Sequence, residues 1–501
     1  MNRDLAHQSI AVVGYGITGR ACVRFLLSQQ AAVCVLDRDV NIQDRVISDP
    51  NVRAAVLDPT MSLSAFSIVV ISPGVNPHLP CFKDYLQRGG RLIGDIELFA
   101  WFNKTPLIGI TGSNGKTTVT DMLGKVLKSA GLHVELAGNY GKCAVDLLLE
   151  EASRPTPLDI VVLELSSYQL EMTESLQLEF ATILNITEDH LDRHGSFENY
   201  KIAKQRIFKM AKNIVVCRDE ALSYPANITL DGAVDNLNTP RICAEVGLLN
   251  NAVGYSIGEA VASHFLSNLD SNSNLDLSSN SGFVNPFNNT MRKKTEPCIQ
   301  FNGSALFALS DLHLKGSHNH INSMIVLAIC DQLLLDRNLT IKAICDYKGL
   351  PHRFQTIRVS TVDVAGKTSK ITWINDSKAT NVGACKAALA CFAKSDDYLI
   401  LIAGGDAKGV DLSPLKEMLD TQVKQLIVLG KDALKFIELI PNAIHVGDLQ
   451  EAVATSLALL HKADFANAVV LLSPACASLD MFVNYEDRGD VFASAVIEQV
   501  A

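Results

Sequence analysis

The chain has no excess of positive charge. Over 501 residues, 44 lysines and arginines stand against 54 aspartates and glutamates, a formal net charge of -10 at pH 7. A surface that follows a nucleic-acid backbone would be broadly basic, so that class of partner is set aside. A local nest of backbone N–H groups with a few lysines can still hold one phosphorylated small molecule. No uninterrupted apolar run reaches the roughly 18 residues that a membrane-spanning helix needs. The apolar stretch 11–36 is broken by glycines, arginines and glutamines and does not read as a secretory signal. There is no CxxC pair among the 12 cysteines, which are scattered and lie mostly in apolar runs, as at Cys22, Cys34, Cys143, Cys345 and Cys391. Buried free thiols in a reducing cytoplasm are expected. No internal repeat occurs beyond a general strand-helix alternation. What is present is 48% hydrophobic and 20% charged residues, enough for packed cores. At about 150 residues per domain the length implies roughly three domains.

The alternation predicts an α/β protein. Residues 9–14 (SIAVVG) read as a buried strand, followed by Gly14, Gly16 and Gly19 at GxGxxG spacing and an apolar helix pattern to about Leu27. A second strand, 31–36, ends at Asp37. This βαβ opening suits a dinucleotide, another nucleotide, or a plain tight turn. Strands at 68–71, running into Ser72-Pro73-Gly74, and at 91–93 complete a first domain to about residue 104. A second unit starts with a strand at 107–110, a loop and a helix to about residue 130. Its further strands, 159–163 and 181–186, run into Glu164 and into Thr187-Glu188-Asp189-His190. Residues 256–300, rich in Ser, Asn and Gly, read as a surface insertion or long flexible loop without chemistry. A third unit starts near Gly349, with strands at 371–374, 398–403, 425–429 and 468–473.

The strongest local signal is Thr111-Gly112-Ser113-Asn114-Gly115-Lys116-Thr117-Thr118. A buried strand runs straight into a glycine loop, a lysine and two hydroxyls. Glycines let N–H groups approach phosphate oxygens, lysine neutralises the transferred phosphate, and a threonine hydroxyl can ligate magnesium. The generic GxxxxGK[ST] pattern is missed by one position, because Ile110 stands where it has glycine. Glu164 and His190, just past predicted strands, could reach a metal near that loop, although a lone histidine is more often a packing residue. Lys204, in the basic stretch 201–210, reads as a solvated lysine by its local sequence. In the third unit three strands end in polar groups: Asn375-Asp376-Ser377-Lys378, Gly404-Gly405-Asp406-Ala407-Lys408 and Ser473–Ser478. They predict a pocket for a carboxylate or amino acid. Cys476 lacks a partnered base and is not expected to be a nucleophile.

Together, TGSNGKTT, LELSSYQL, NITEDHLDRHG, GSHNHIN, GLPHRF, NDSKATN, GGDAKG and SPACASLDMF resemble the motif set of the Mur ligase family, over about residues 8–495 apart from 256–300. GDIELF, NDSKATN and SPACASLDMF resemble its D-glutamate-adding members. The resemblance implies three domains: 1–104 binding the uridine nucleotide, 105–348 as a P-loop ATPase-like centre, and 349–501 as a second Rossmann-like domain that closes over ATP and the amino acid. It implies a monomer that joins D-glutamate to UDP-N-acetylmuramoyl-L-alanine in peptidoglycan synthesis. ATP and magnesium (Mg2+) are the implied cofactors, with no nucleic acid or membrane partner.

Residue by residue, the resemblance places Thr18, Asp37, Arg38, Ser72, Gly74 and Asn139 on the UDP substrate. It places Gly112, Ser113, Asn114, Gly115, Lys116, Thr117, Thr118, Asn319, Arg353 and Asp376 on ATP. Thr117, Glu164, His190 and Lys204 become metal positions, Lys204 as a carbamate formed from a neutral amine and CO₂. Lys378, Thr380, Lys408, Ser478, Leu479 and Tyr485 match D-glutamate positions, and Tyr485 stands where the family pattern has phenylalanine. His352 and Arg353 fall at the hinge into the third domain. Lys116, His190, Lys204, Lys378 and Lys408 are the implied catalytic set. Three other readings follow from parts of the chain: a superfamily ligase for a different amino acid or for folates, a nucleotide-binding scaffold with decayed chemistry, and, from GxGxxG alone, an NAD-dependent oxidoreductase.

Overall fold

The computed structural model describes residues 4–225, 241–248, 254–261, 295–314, 316–364, 367–393 and 395–500. Three β-sheets carry the architecture. The first is formed by β1 (Ser9–Val13), β2 (Ala32–Asp37), β3 (Val52–Val56), β4 (Ile68–Ile71) and β5 (Arg91–Gly94). Its order is β3-β2-β1-β4-β5 and every pairing is parallel. Such sheets need both faces covered, which is why β1 and β4 are almost wholly apolar.

The second sheet contains β6 (Leu107–Thr111), β7 (Val134–Gly138), β8 (Ile160–Glu164), β9 (Leu178–Ile183), β10 (Ala211–Cys217), β11 (Arg241–Val246), β12 (Tyr255–Val261), β13 (Thr295–Phe301) and β14 (Ser304–Ala308). Its order is β14-β13-β12-β11-β10-β9-β6-β8-β7. The strands from β7 through β12 in that order pair in parallel, and β12, β13 and β14 pair antiparallel. The third sheet contains β15 (Gln355–Val364), β16 (Lys367–Asn375), β17 (Tyr398–Gly404), β18 (Gln425–Leu429), β19 (Ile444–His445) and β20 (Asn467–Ala475), in the order β15-β16-β20-β17-β18-β19. Only β15 pairs antiparallel.

The chain forms two compact units, Met1–Leu312 with Ile321–Asp346, and His313–His320 with Tyr347–Ala501. In the first unit a single apolar cluster runs from Ile10, Val12 and Val70 of the first sheet to Leu163, Ala181 and Ile214 of the second. In the second unit each face of the third sheet has its own cluster, one around Leu401 and Val428, the other around Trp373 and Ile402.

Two sequence expectations need correction. Both ends of the segment 256–300 are strands rather than loop, because Tyr255, Cys298 and Ile299 are buried apolar residues on the paired β12 and β13. Residues 262–294 of that segment lie outside the described residues. The strand expected at 181–186 is β9, Leu178–Ile183. Leu184 and Ile186 extend the apolar run without extending the ladder, since the chain there turns to bind the loop after β6. The 12 cysteines are all unpaired, as expected. No helix among the described residues is long and apolar enough to cross a membrane.

Asp95, directly after β5, shows what burial costs this fold. Its Oδ2 accepts from Gln169 Nε2 at 3.1 Å, Oδ1 has no hydrogen-bond partner, and desolvation pushes its pKa from 3.8 up to about 6. A carboxyl with a raised folded pKa holds its proton more tightly folded than unfolded. Stability is unaffected below the unfolded value and falls as pH rises through about 6. Asp95→Asn is neutral and of the same shape. Its stability relative to wild type is expected to improve by on the order of 1–3 kcal/mol between about pH 4 and pH 8. Urea unfolding at the two pH values measures it, and a pH-independent difference would refute the charge argument.

Candidate active site

All five residues of β6 are buried, and the strand delivers the chain directly into the loop 112–115 and the helix Lys116–Ser129. Gly115 is the residue before that helix and has φ +83°, in the left-handed region that glycine adopts at little cost. A Cβ there would stand 3.2 Å from Asn322 Oδ1. No side chain caps the helix, which leaves its N-terminus to present backbone N–H groups and the positive end of its dipole.

The loop is clamped before any ligand arrives. Asn185 holds it twice: its carbonyl accepts from Ser113 N at 2.9 Å, and its Oδ1 accepts from Asn114 N at 2.8 Å. Ser113 Oγ donates to Thr187 O at 2.9 Å and pairs with Tyr200 Oη at 2.8 Å. Lys116 Nζ folds back onto the carbonyls of Gly112 at 2.8 Å and Ser113 at 2.9 Å.

Lys204 overturns its local reading. It lies on the inward face of the helix Phe197–Lys209, beside Tyr200, Ala203, Ile207 and Phe208, and is only 2% exposed. Its Nζ also donates to Gly112 O, at 2.8 Å, and stands 4.7 Å from the Tyr200 ring centroid. Two lysines therefore converge on one carbonyl. Burial first, and Lys116 second, hold the Lys204 pKa well below the usual range, while Asp189 and Glu164 oppose the shift. Both effects favour the uncharged amine.

Glu164 is the last residue of β8, not a residue beyond it, and is 1% exposed. Its Oε1 accepts from Asn139 Nδ2 at 2.7 Å, while its Oε2 is buried without a hydrogen-bond partner. Among the described residues no three His, Cys, Asp or Glu side chains gather into a metal cage. Magnesium does not require one, since it is commonly held by one or two carboxylates together with water and substrate phosphate. The orphaned oxygen of Glu164 is a donor that such an ion would satisfy. His190 sits at φ 52°, with 48% of its side chain exposed and its ring 5.1 Å from that of Tyr168. It is not a buried packing histidine.

The first sheet gathers the residues expected at the uridine end. Asp37 closes the glycine turn, its Oδ2 accepting from Tyr15 N at 2.6 Å and its Oδ1 from Asp39 N at 3.0 Å. Ser72 Oγ donates to Gly14 O at 2.8 Å, and Thr18 lies on the first turn of the helix Ile17–Ser28, half-buried. Arg38 is exposed. Gly74 is backed by nothing within 4 Å of a Cβ built there. A crevice lined by Ser72, Pro73, Asp95, Tyr168, Gln169 and Arg193 brings this site and the loop after β8 together.

In the third sheet β16, β20 and β17 are parallel neighbours, so their three polar ends meet at one edge. Asp406 and Ala477 bridge two of the loops. Lys378 Nζ stands 3.8 Å from the Tyr485 ring centroid, and Thr380 N donates to Lys378 O at 2.8 Å. Ser478 is buried, Leu479 is 68% exposed, and Lys408 is exposed with φ 50°. Asp376 accepts from Phe354 N at 3.1 Å and Ser473 Oγ at 3.0 Å, and burial pushes its pKa up to about 7. Its neighbour in charge is Arg353. His352 Nδ1 pairs with Asn375 Nδ2 at 3.1 Å. Asn319 is buried on the first turn of the helix Ser317–Gln332. Burial pushes the Cys476 thiol up to about 12, which is unlike a nucleophile.

Reading residue types missed Asn185, Tyr200 and Asn322. Asn185 and Asn322 lie inside recognised motifs, NITEDH and GSHNHIN, but approach to a loop distant in the chain leaves no local pattern.

Family comparison agrees with this arrangement. A model of the MurD-like N-terminal domain of Mur ligases matches residues 8–94, the Mur ligase middle domain matches 110–230, and the Mur ligase glutamate ligase domain matches 352–476. The UDP-N-acetylmuramoylalanine–D-glutamate ligase of Pseudomonas savastanoi pv. phaseolicola is 35% identical over 494 residues, covering 97% of each chain. That of Shewanella oneidensis is 36% identical over 493 residues, again 97% of each. Among solved structures, the MurF ligase of Thermotoga maritima in complex with ADP shares the fold with TM-score 0.53 at 14% identity, covering 100% of this chain and 97% of that one. With a buried lysine held on the glycine loop, in a chain that matches such relatives over 97% of its length, this protein belongs to the Mur ligase family.

Proposed function

We propose that this chain joins D-glutamate to UDP-N-acetylmuramoyl-L-alanine in peptidoglycan precursor synthesis, consuming ATP and releasing ADP and phosphate through an acyl-phosphate. The observation that carries the reaction class is the convergence of Lys116 and Lys204 on Gly112 O in a clamped glycine loop, with Glu164 within electrostatic reach of Lys204. The substrate and the amino acid are carried by the full-length likeness to D-glutamate ligases. We read the domains as 1–104 for the uridine substrate, 105–348 for ATP and 349–501 for the amino acid.

The terminal carboxylate of the alanyl group attacks the γ-phosphate of ATP. Gly112, Ser113, Asn114, Gly115, Thr117 and Thr118 cradle the phosphates, and Lys116 offsets charge spreading over the phosphoryl oxygens. A carboxylate is a poor electrophile, and its mixed anhydride with phosphate supplies the leaving group. D-glutamate then attacks through its uncharged amine, and phosphate departs. Lys378 and Lys408 offer positive charge to the carboxylates of glutamate, beside Thr380, Ser478, Leu479 and Tyr485. Asn319, Arg353 and Asp376 take the nucleoside end of ATP. Half-exposed His190 is open to solvent and suits passage of the amine's proton to water. Magnesium would be held by Thr117, Glu164, His190 and carbamylated Lys204, where it supplies charge for the phosphoryl oxygens. Thr18, Asp37, Arg38, Ser72, Gly74 and Asn139 hold the UDP substrate.

The test is magnesium-dependent phosphate release from ATP with UDP-N-acetylmuramoyl-L-alanine and one amino acid at a time. Release with D-glutamate only is expected. Release with L-lysine, diaminopimelate or L-glutamate instead would move the specificity. Silence with all of them, from folded protein, would overturn the enzyme assignment.

A further inference from the structure

Two of the three polar loops of the third sheet are tied, and the third is approached, by a side chain to which the reaction above gives no role. Arg488, on the helix Tyr485–Gln499, is 2% exposed. Its Nε donates to Ser377 Oγ at 3.0 Å, Nη2 to Ser377 O at 2.8 Å and Nη1 to Cys476 O at 3.1 Å. Ser377 lies between Asp376 and Lys378, and Cys476 lies two residues before Ser478. The same Nη1 stands 3.3 Å from where a Cβ on Gly405 would be, in the loop that ends at Lys408. One planar fork thus reaches all three loops.

The chain of contacts returns on itself. Ser377 Oγ accepts from Arg488 and donates to Tyr485 O at 2.8 Å, and the Tyr485 ring carries the Lys378 ammonium at 3.8 Å. Gly489 adds a second constraint: a Cβ there would stand 2.2 Å from His352 Nδ1, and its carbonyl accepts from Asn375 Nδ2 at 2.9 Å.

All of Arg488's hydrogen-bond acceptors are neutral. Among the described residues no carboxylate stands within ion-pair distance of it. Burying an unpaired guanidinium is expensive, and a hydrophobic residue of similar volume would hold a plain core at less cost. Two features of arginine answer this. Its rigid donors fix several acceptors at set separations, and its charge stays in place.

We infer that Arg488 is the positioning residue for the amino-acid substrate, setting Lys378 against Ser478 and adding fixed positive charge to a pocket that receives a dicarboxylate. This rests on the assignment of D-glutamate to the third sheet. Displacement of reacting groups by about 1 Å can cost on the order of 10²-fold.

The test compares Arg488→Lys, which keeps charge and loses the fork, with Ser377→Ala, which removes the shared hydroxyl and keeps the backbone carbonyl. KM is measured for each of the three substrates, with kcat and the thermal midpoint. Arg488→Lys is expected to raise KM for D-glutamate by about 10–100-fold, with those for ATP and the UDP substrate within about 3-fold. Ser377→Ala should give the same selectivity at smaller size. Three KM values rising together, or kcat falling only with the folded fraction, would overturn the inference. If Arg488→Lys does not fold, Ser377→Ala decides, and an unchanged KM for D-glutamate overturns it. Wild-type protein without amino-acid dependence overturns the ligase reading itself, whereas D-glutamate-dependent wild type with unselective variants overturns only the role of Arg488.

Discussion

Lys116→Ala is expected to lower kcat by at least about 10²–10³-fold while leaving the fold intact. The side chain stands on the first turn of the helix after β6, with its Nζ on two loop carbonyls rather than in the core. Its removal therefore deletes a cation without leaving an apolar void. The loop itself remains held by Asn185 and Ser113. What is lost is the positive charge available as negative charge spreads over the transferred phosphoryl group, in a site where the helix N-terminus supplies only partial charge. Steady-state kcat with all three substrates saturating is the measurement, with circular dichroism as the control for folding. A variant within about 10-fold of wild type would remove Lys116 from the phosphoryl centre.

Lys204→Gln is expected to cost as much, for a different reason. An ordinary buried lysine beside a second lysine is unfavourable as a cation, and the shift to the neutral amine is driven by burial and by Lys116. A neutral amine can take up CO₂, and the resulting carbamate turns a repelled cation into an anion able to ligate magnesium. Glutamine is one bond shorter and keeps a hydrogen-bond donor, but it cannot carry CO₂. Wild-type activity should therefore fall in buffer stripped of CO₂ and return with bicarbonate, and the variant should show neither response. Labelled bicarbonate should give a carbamate NMR signal in wild type alone. A wild type indifferent to CO₂, with no such signal, would refute the carbamate and leave Lys204 as an unmodified amine donating to Gly112 O.

These two lysines show where reading the sequence succeeds. Lys116 follows a buried strand and a glycine loop within a few residues, so its environment is encoded locally and legible. Lys204 sits in KIAKQRIFKM, where the neighbours suggest a solvated helix face. Only the family resemblance pointed to it, because burial of one lysine on an amphipathic helix depends on which face meets the sheet. Arg488 gave no local signal at all: its acceptors lie 111 and 12 residues away along the chain.

The sequence by itself determined the α/β class, the parallel strands with polar C-terminal ends and the glycine loop after β6, because apolar periodicity and glycine placement act over a few residues. It also set the free state of the cysteines, which lie mostly in apolar runs and form no CxxC pair. Tertiary structure alone decided that β16, β20 and β17 are neighbours, that Asn185 and Tyr200 brace the loop after β6, and that Glu164 keeps one buried oxygen without a partner. It also decided that Lys116 and Lys204 share a carbonyl. The physical reason is the same in each case. Desolvation and hydrogen-bond satisfaction are set by groups far apart in the chain, and their energies exist only once the sheets have brought those groups together.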